Sequence, residues 1–221
     1  ERIRMKVILM KKLLEANDRL AEENRAYFSG RHLLAVNLMG SPGSGKTTLI
    51  SAVAKELPGI PVGVVEGDIA SSIDAERLEK QGIRSAQINT CGECHLDSHV
   101  IRDGAEQIDM RDGIIFIENV GNLICPAEFD LGEATRVLAA SVPEGDDKPF
   151  KYTPMFSYAD AVVLTKCDLK EAVGFDTENF SKGLRAVSKA PVFEVSLKDG
   201  AQPLGIAKFA EYLKEKYLAL K

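Results

Sequence analysis

Residues Gly40-Ser41-Pro42-Gly43-Ser44-Gly45-Lys46-Thr47 fit the pattern G-x-x-x-x-G-K-[ST]. Polyphosphate binding needs these residue types at this spacing. The glycines let amide N–H groups turn inward around phosphate oxygens, and the start of a following helix adds partial positive charge. Lys46 then reaches the β- and γ-phosphates, and Thr47 offers its hydroxyl to Mg²⁺. Thr48 continues the same turn. The expected nucleotide-binding residues here are Gly40, Ser41, Gly43, Ser44, Gly45, Lys46, Thr47 and Thr48, with Lys46 also catalytic.

Phosphoryl chemistry also needs acids to hold Mg²⁺ and place the attacking water. In open α/β sheets such groups stand at the carboxyl ends of strands. Asp68 follows an apolar run that ends near Glu66, and Asp74 lies six residues on. Glu118 ends the run 114–117, in the place of the usual Walker-B acid. Asp68, Asp74 and Glu118 are therefore catalytic candidates, and Asp68 and Asp74 join Thr47 as Mg²⁺ candidates. Asp74 also reads as a helix N-terminal acid favoured by the helix dipole.

Thr165-Lys166-Cys167-Asp168 stands where GTPases carry Asn-Lys-x-Asp. An aspartate there accepts hydrogen bonds from guanine N1 and N2, which adenine does not supply. The stem of Lys166 covers the base. Ser196-Leu197-Lys198 resembles the GTPase Ser-Ala-Lys turn. Lys166, Asp168, Ser196, Leu197 and Lys198 thus favour GTP and GDP over ATP. A P-loop kinase or ATPase is the competing class, and threonine in place of asparagine is a departure from the pattern.

Cys91-Gly92-Glu93-Cys94-His95-Leu96-Asp97-Ser98-His99 gathers two cysteines and two histidines, and Cys125 follows in Asn122-Leu123-Ile124-Cys125-Pro126. Thiolate and imidazole suit Zn²⁺ and, in suitable geometry, Ni²⁺. His95 and His99 are four apart, so on one helix they would share a face. Cys91-x-x-Cys94-His95 also matches c-type haem attachment, which needs export, and Cys-x-x-Cys can be a redox pair. Buried cysteines and surface histidines are the bland alternative. Cys125 lies seven residues after Glu118, so the loop between them could couple nucleotide state to metal geometry.

These residues need a scaffold. Short apolar runs at 33–39, 60–65, 85–89, 113–118, 135–142, 161–165 and 191–195 read as strands. Helical spacing marks 47–57, 75–80, 96–108, 180–188 and 204–218. Their alternation implies an α/β fold, a doubly wound and mostly parallel sheet flanked by helices. A helix over 3–28 precedes it, carrying Ile3, Val7, Met10, Leu13, Leu14, Leu20 and Tyr27, and is expected to pack on the flank. The loop 143–149 reads as the most exposed segment.

Composition fits this picture. The chain has 221 residues with 45% hydrophobic and 28% charged residues, ordinary for one large α/β domain. A net charge of −5, spread along the chain, argues against a nucleic-acid binder. No apolar run reaches membrane-spanning length. No signal-peptide pattern follows Arg2, Arg4 and Lys6, so a cytoplasmic location with reduced cysteines is expected.

Val65-Glu66-Gly67-Asp68, Cys94-His95-Leu96-Asp97 and above all Glu118-Asn119-Val120-Gly121-Asn122-Leu123-Ile124-Cys125-Pro126 resemble the hydrogenase nickel-incorporation GTPase family, HypB. Glu144-Gly145-Asp146-Asp147-Lys148-Pro149 also fits. The resemblance covers roughly residues 30–215. It implies a P-loop GTPase of the signal-recognition-particle and MinD-like class, divided as a helical extension, 1–30, and a GTPase domain, 31–221. It implies a GTP-dependent homodimer with metal at the interface. Cys94, His95 and Cys125 match the family's metal motif, and His99 matches a further ligand, for nickel or zinc. Cys91 has no counterpart. The implied partners are another hydrogenase accessory metallochaperone and the hydrogenase large-subunit precursor, with no nucleic acid. The N-terminal Cys-x-x-Cys-type nickel motif and histidine-rich tail of some members are absent, so the resemblance implies a delivery switch rather than a nickel store. The alternatives are the urease accessory GTPases, whose Cys-Pro-His motif is not found, and a GTPase whose zinc is purely structural. Turnover is expected to be slow, since no arginine is placed as a cis finger.

Overall fold

β1 (Leu33–Gly40) is buried along its whole length. A strand with apolar residues on both faces belongs inside a parallel sheet covered on both sides, and β1 stands at its centre. The structure, a computed structural model, describes residues 2–67, 78–89, 95–127, 129–198 and 203–220, with side chains from residue 15 onward. The other strands are β2 (Val62–Glu66), β3 (Arg84–Gln87), β4 (Gly113–Glu118), β5 (Thr135–Ser141), β6 (Ala161–Thr165) and β7 (Val192–Glu194). They form one sheet in the order β3-β2-β4-β1-β5-β6-β7, every pairing parallel.

The described helices are α1 (Arg2–Gly30), α2 (Lys46–Glu56), α3 (Ser98–Ile108), α4 (Lys148–Lys151), α5 (Thr153–Tyr158), α6 (Lys170–Val173), α7 (Thr177–Val187) and α8 (Ile206–Leu218). Side chains alternate across a strand, so β1 feeds two cores. Leu34, Val36 and Leu38 pack with Leu49, Ile50 and Val53 of α2 and Phe209 and Leu213 of α8. Leu33 and Ala35 pack with Phe28 of α1 and Ile101, Ala105 and Ile108 of α3. A third cluster joins Met39, Leu138, Phe156 of α5 and Phe180 of α7. Burial of each such leucine contributes about 2 kcal/mol.

The strand register gathers the site. Leu38 of β1 lies opposite Glu118 of β4, which also faces Glu66 of β2. Gly40 lies opposite Ala139 of β5, and Ser141 opposite Thr165 of β6. The sheet thus delivers the phosphate loop, two buried carboxylates and the base-recognition strand to one edge.

Some expectations change. α1 does pack on the flank, but through amides as well as apolar residues. Asn17 Nδ2 donates to Asp130 O at 2.7 Å, and Asn24 Nδ2 donates to Ser98 O at 2.7 Å and Leu131 O at 3.1 Å. α3 begins at Ser98 rather than 96, because Asp97 caps it by accepting the His99 and Val100 N–H groups. α7 begins at Thr177 rather than 180, because Asp176 does the same for Glu178 and Asn179. The segment 143–149 is not the exposed loop expected. Pro149 is buried and 144–148 are half-buried. The reason is local: Asp146 accepts the Asp176 N–H at 3.0 Å and the Asn179 side-chain amide at 2.7 Å, which fastens the segment to α7. The short helices α4 and α5 were missed; each carries proline in its first turn, where a missing N–H costs nothing. Most of the helix expected over 75–80 lies outside the described residues.

Candidate functional site

The chain leaves β1 at Gly40 and turns into α2 through Gly43 and Gly45, both left-handed with φ of 73° and 92°. Gly45 is the N-cap of α2 and supplies no side-chain oxygen, so the first-turn N–H groups stay open to an anion. Lys46 is buried, and its ammonium donates to Gly40 O and Ser41 O, both at 3.3 Å. It lies folded over the loop that it would serve. Thr47 Oγ1 donates to Glu118 Oε1 at 2.9 Å. The hydroxyl expected at Mg²⁺ and the acid at the end of β4 are therefore in contact. Asp68 and Asp74 lie outside the described residues.

Beside the loop is a cavity of about 420 Å³, lined by Ser44, Gly45, Thr48, Thr165, Lys166, Asp168, Leu169, Leu197 and Lys198. The motif read as base recognition thus surrounds one space next to the phosphate loop. Ser196 Oγ donates to Asp168 Oδ1 at 2.7 Å, which orients the carboxylate and leaves Oδ2 for a ligand. Lys166 takes the left-handed conformation, φ 58°, and its ammonium donates to Gly43 O at 2.7 Å. Thr165, the departure from asparagine, is buried; its hydroxyl donates to Ser44 O at 2.7 Å and reaches Ala140 O at 3.4 Å. It ties the base strand to the phosphate loop. Cys167 stands between them half-buried, and burial pushes its thiol up from the ordinary range.

The cysteine–histidine segment is only partly described, since Cys91 and Cys94 lie outside the described residues. His95 stacks on Phe129, ring centroids 3.8 Å apart and planes 19° apart. It precedes the cap of α3, so His95 and His99 do not share a helix face as expected; His99 is exposed in the first turn. Cys125 is a half-buried cysteine opening a short 3₁₀ turn, Cys125–Ala127. Among the described residues, no three metal-ligating side chains are close enough to hold an ion.

The Cys125 part of that segment is tied to the phosphate loop, and the His95 part to β1, which leads into it. Asn122 forms an antiparallel bridge with Gly40. Gly121 approaches Pro42 so closely that a Cβ there would lie 2.9 Å from the Pro42 nitrogen. On the other side, Leu96 N–H donates to Asn119 Oδ1 at 3.4 Å. Asn119 Nδ2 donates to Asn37 Oδ1, and Asn37 Nδ2 to Glu133 Oε1, both at 3.2 Å. Glu133 also accepts from Arg136 Nε at 2.6 Å. This buried polar chain crosses from the His95 side to β1, next to the loop.

Comparison with known proteins decides the family. The CobW/HypB/UreG nucleotide-binding domain matches residues 34–194. The chain is 44% identical over 203 residues to hydrogenase maturation factor HypB of Escherichia coli K12, covering 91% of this chain and 69% of that protein. The chain belongs to the HypB family. It is also 38% identical over 217 residues to the hydrogenase/urease maturation factor HypB of Helicobacter pylori, covering 95% and 88% of the two chains. A crystal structure of Helicobacter pylori HypB in complex with nickel superposes with a TM-score of 0.85 at 37% identity, covering 92% of this chain and 96% of that one. Signal recognition particle 54 kDa protein from Aeropyrum pernix shares the fold, with a TM-score of 0.56 at 17% identity, covering 90% of this chain and 55% of that one. Like other HypB proteins, the chain is a P-loop GTPase of hydrogenase maturation.

Two site features of this HypB chain escaped sequence reasoning. Thr165, a departure from the GTPase asparagine in the local pattern, ties the base strand to Ser44. Glu144, whose motif carries only a family resemblance, accepts from Ser41 Oγ at 2.7 Å. Among the described residues no helix is long and apolar enough to cross a membrane.

Proposed function

We propose that this chain is a cytoplasmic GTP-hydrolysing metallochaperone whose cargo is nickel for [NiFe] hydrogenase precursors. The observation that carries this reading is the direct joining of the phosphate loop to the Cys125 loop, through the Gly40–Asn122 bridge and the Gly121–Pro42 contact. Glu118 touches Thr47 at one end of that stretch, and Cys125 stands at the other. A change at the γ-phosphate is thereby carried to a metal ligand.

In this reading Lys46 leaves its carbonyl partners to neutralise the β- and γ-phosphates. Thr47, Asp68 and Asp74 would hold Mg²⁺; hydroxyl and carboxylate oxygens are the hard donors that ion takes. That ion, when bound, would neutralise charge on the β- and γ-phosphates. Asp68, Asp74 and Glu118 orient the attacking water. Asp168, positioned by Ser196, reads guanine, while Lys166, Leu197 and Lys198 enclose it. The loop residues Gly40, Ser41, Gly43, Ser44, Gly45 and Thr48 cradle the phosphates.

The cargo ligands are Cys94, His95, His99 and Cys125, whose thiolate and imidazole donors suit Ni²⁺ and Zn²⁺. Each chain of a GTP-dependent homodimer would give part of the set. Residues 1–30 form an extension and 31–221 the GTPase domain. The partners are a second accessory metallochaperone and the hydrogenase large-subunit precursor. The name of the Helicobacter pylori relative favours a second reading, in which the nickel also serves a urease.

Metal stoichiometry and oligomeric state, measured with GDP and with a non-hydrolysable GTP analogue, test the proposal. Dimerisation and a changed nickel affinity with the analogue are expected, both lost in Lys46→Ala. Zinc retained unchanged through every nucleotide state would replace delivery with a structural metal.

A further inference from the structure

β1 and β5 run in register, Gly40 opposite Ala139, so the chain leaving β5 arrives beside the phosphate loop. Glu144 lies there. One carboxylate oxygen, Oε2, accepts from Ser41 Oγ at 2.7 Å. The other, Oε1, is closed off from solvent and has no hydrogen-bond partner among the described residues. A carboxylate oxygen buried in this way is costly.

The placement is held firmly. Gly145 turns with φ 104° and donates its N–H to Val142 O at 3.1 Å. Asp146 is fastened to the start of α7 by two hydrogen bonds. Lys46 also contacts Ser41: its ammonium donates to Ser41 O at 3.3 Å. An acid and the loop lysine therefore meet at one residue. The lysine of such a loop serves the β- and γ-phosphates, so Glu144 stands at the terminal-phosphate end.

We propose that Glu144 sets the preference between the triphosphate and diphosphate states. Its fixed negative charge opposes the terminal phosphate and weakens GTP relative to GDP. GDP ends one phosphate short and feels less of that charge, because the interaction falls with distance. The inference rests on the nucleotide-binding reading of the loop.

The test compares dissociation constants for GDP and a non-hydrolysable GTP analogue, both fluorescently labelled, with Mg²⁺ in excess. Glu144→Gln keeps an oxygen for Ser41 and removes the charge. It is expected to bind the analogue about tenfold more tightly while its GDP affinity stays within about threefold. Glu144→Asp, which keeps the charge, retains the wild-type preference. Glu144→Ala shifts the preference in the same direction as glutamine, so the result does not hinge on one variant's folding. Equal changes for both nucleotides would overturn the proposal, by making position 144 a general support of the loop. Weaker analogue binding in Glu144→Gln would overturn it by placing the acid among groups that favour the triphosphate. A wild-type chain that bound neither nucleotide would instead remove the reading on which the proposal stands.

Discussion

Thr165→Val should damage both stability and nucleotide binding, and the structure sets the size of each effect. Valine matches threonine in shape, so no cavity opens. What is lost is a hydroxyl, 4% exposed with its residue, that donates to Ser44 O at 2.7 Å and reaches Ala140 O at 3.4 Å. A buried carbonyl left without its donor costs about 1–3 kcal/mol. For a chain of this size that lowers the melting temperature by about 2–12 °C, scanned without ligand. Ser44 and Gly45 also line the base cavity, directly before Lys46. Loosening them weakens grip on base and phosphates together. If about half of that energy falls on the bound state, GDP affinity drops about two- to twelvefold. Calorimetric melting and fluorescent GDP titration read the two quantities. Thr165→Ser, which keeps the hydroxyl, should recover most of the affinity. Unchanged melting and unchanged GDP affinity in the valine variant would refute the tie. Equal loss in valine and serine variants would locate the effect in the methyl group rather than the hydrogen bond.

Three further outcomes follow from the geometry. Asp168→Asn removes the acceptor that Ser196 orients, so GTP affinity should fall by about 100-fold or more while ATP affinity does not fall; competition titrations with both nucleotides check this. Gly121→Val places a side chain against the backbone of Pro42, so GTP binding should weaken by about tenfold or more through overpacking of the phosphate loop, as read by titration. The Asp146 carboxyl is held below the ordinary carboxylate range by the Asp176 N–H and the Asn179 amide. Its contribution is therefore present above the unfolded value, near pH 4, and is lost as pH falls through the lower folded value. Carboxyl NMR titration should show that depressed midpoint, and Asp146→Asn should flatten the acid limb of the melting profile.

What could be read from the sequence follows the range of each interaction. The phosphate loop is eight consecutive residues in a strand–turn–helix context, and the structure places that turn as expected. The strands are legible because a parallel sheet needs apolar residues on both faces, as in Ile114–Ile117. Helix starts were misplaced where a cap was overlooked. Asp97 and Asp176 each stop the periodic pattern short, and weighing Asp97 would have kept His95 off the helix of His99. The α1 contacts were hidden for another reason: Asn17 and Asn24 are polar residues used in a buried seam, which an apolar-stripe search passes over. The Ser41–Glu144 bond joins residues 103 apart. Only the pairing of β1 with β5 brings them together, and no local pattern announces it.

Those long-range ties also bear on why a phosphate loop would be coupled to thiols and imidazoles at all. A loop that merely held nucleotide would need its own glycines, Lys46 and Thr47. Here it is gripped from three sides: by Thr165 from the base strand, by Glu144 from the end of β5, and by Gly121 and Asn122 from the loop leading to Cys125. Close-packed contacts of this kind transmit a shift rather than absorb it. Lys46 bonds to two loop carbonyls, and a nucleotide that draws its ammonium away changes the partners of Gly40 and Ser41. Gly40 is bridged to Asn122, and Ser41 is bonded to Glu144. The same movement therefore reaches the segment that opens into Cys125 and the acid at the terminal-phosphate end. Such coupling is reciprocal: a nucleotide that alters metal affinity requires a metal that alters nucleotide affinity by the same factor. If the Cys125 segment holds nickel as proposed, its binding should thus shift the GTP-to-GDP preference, the same preference that Glu144 is proposed to set.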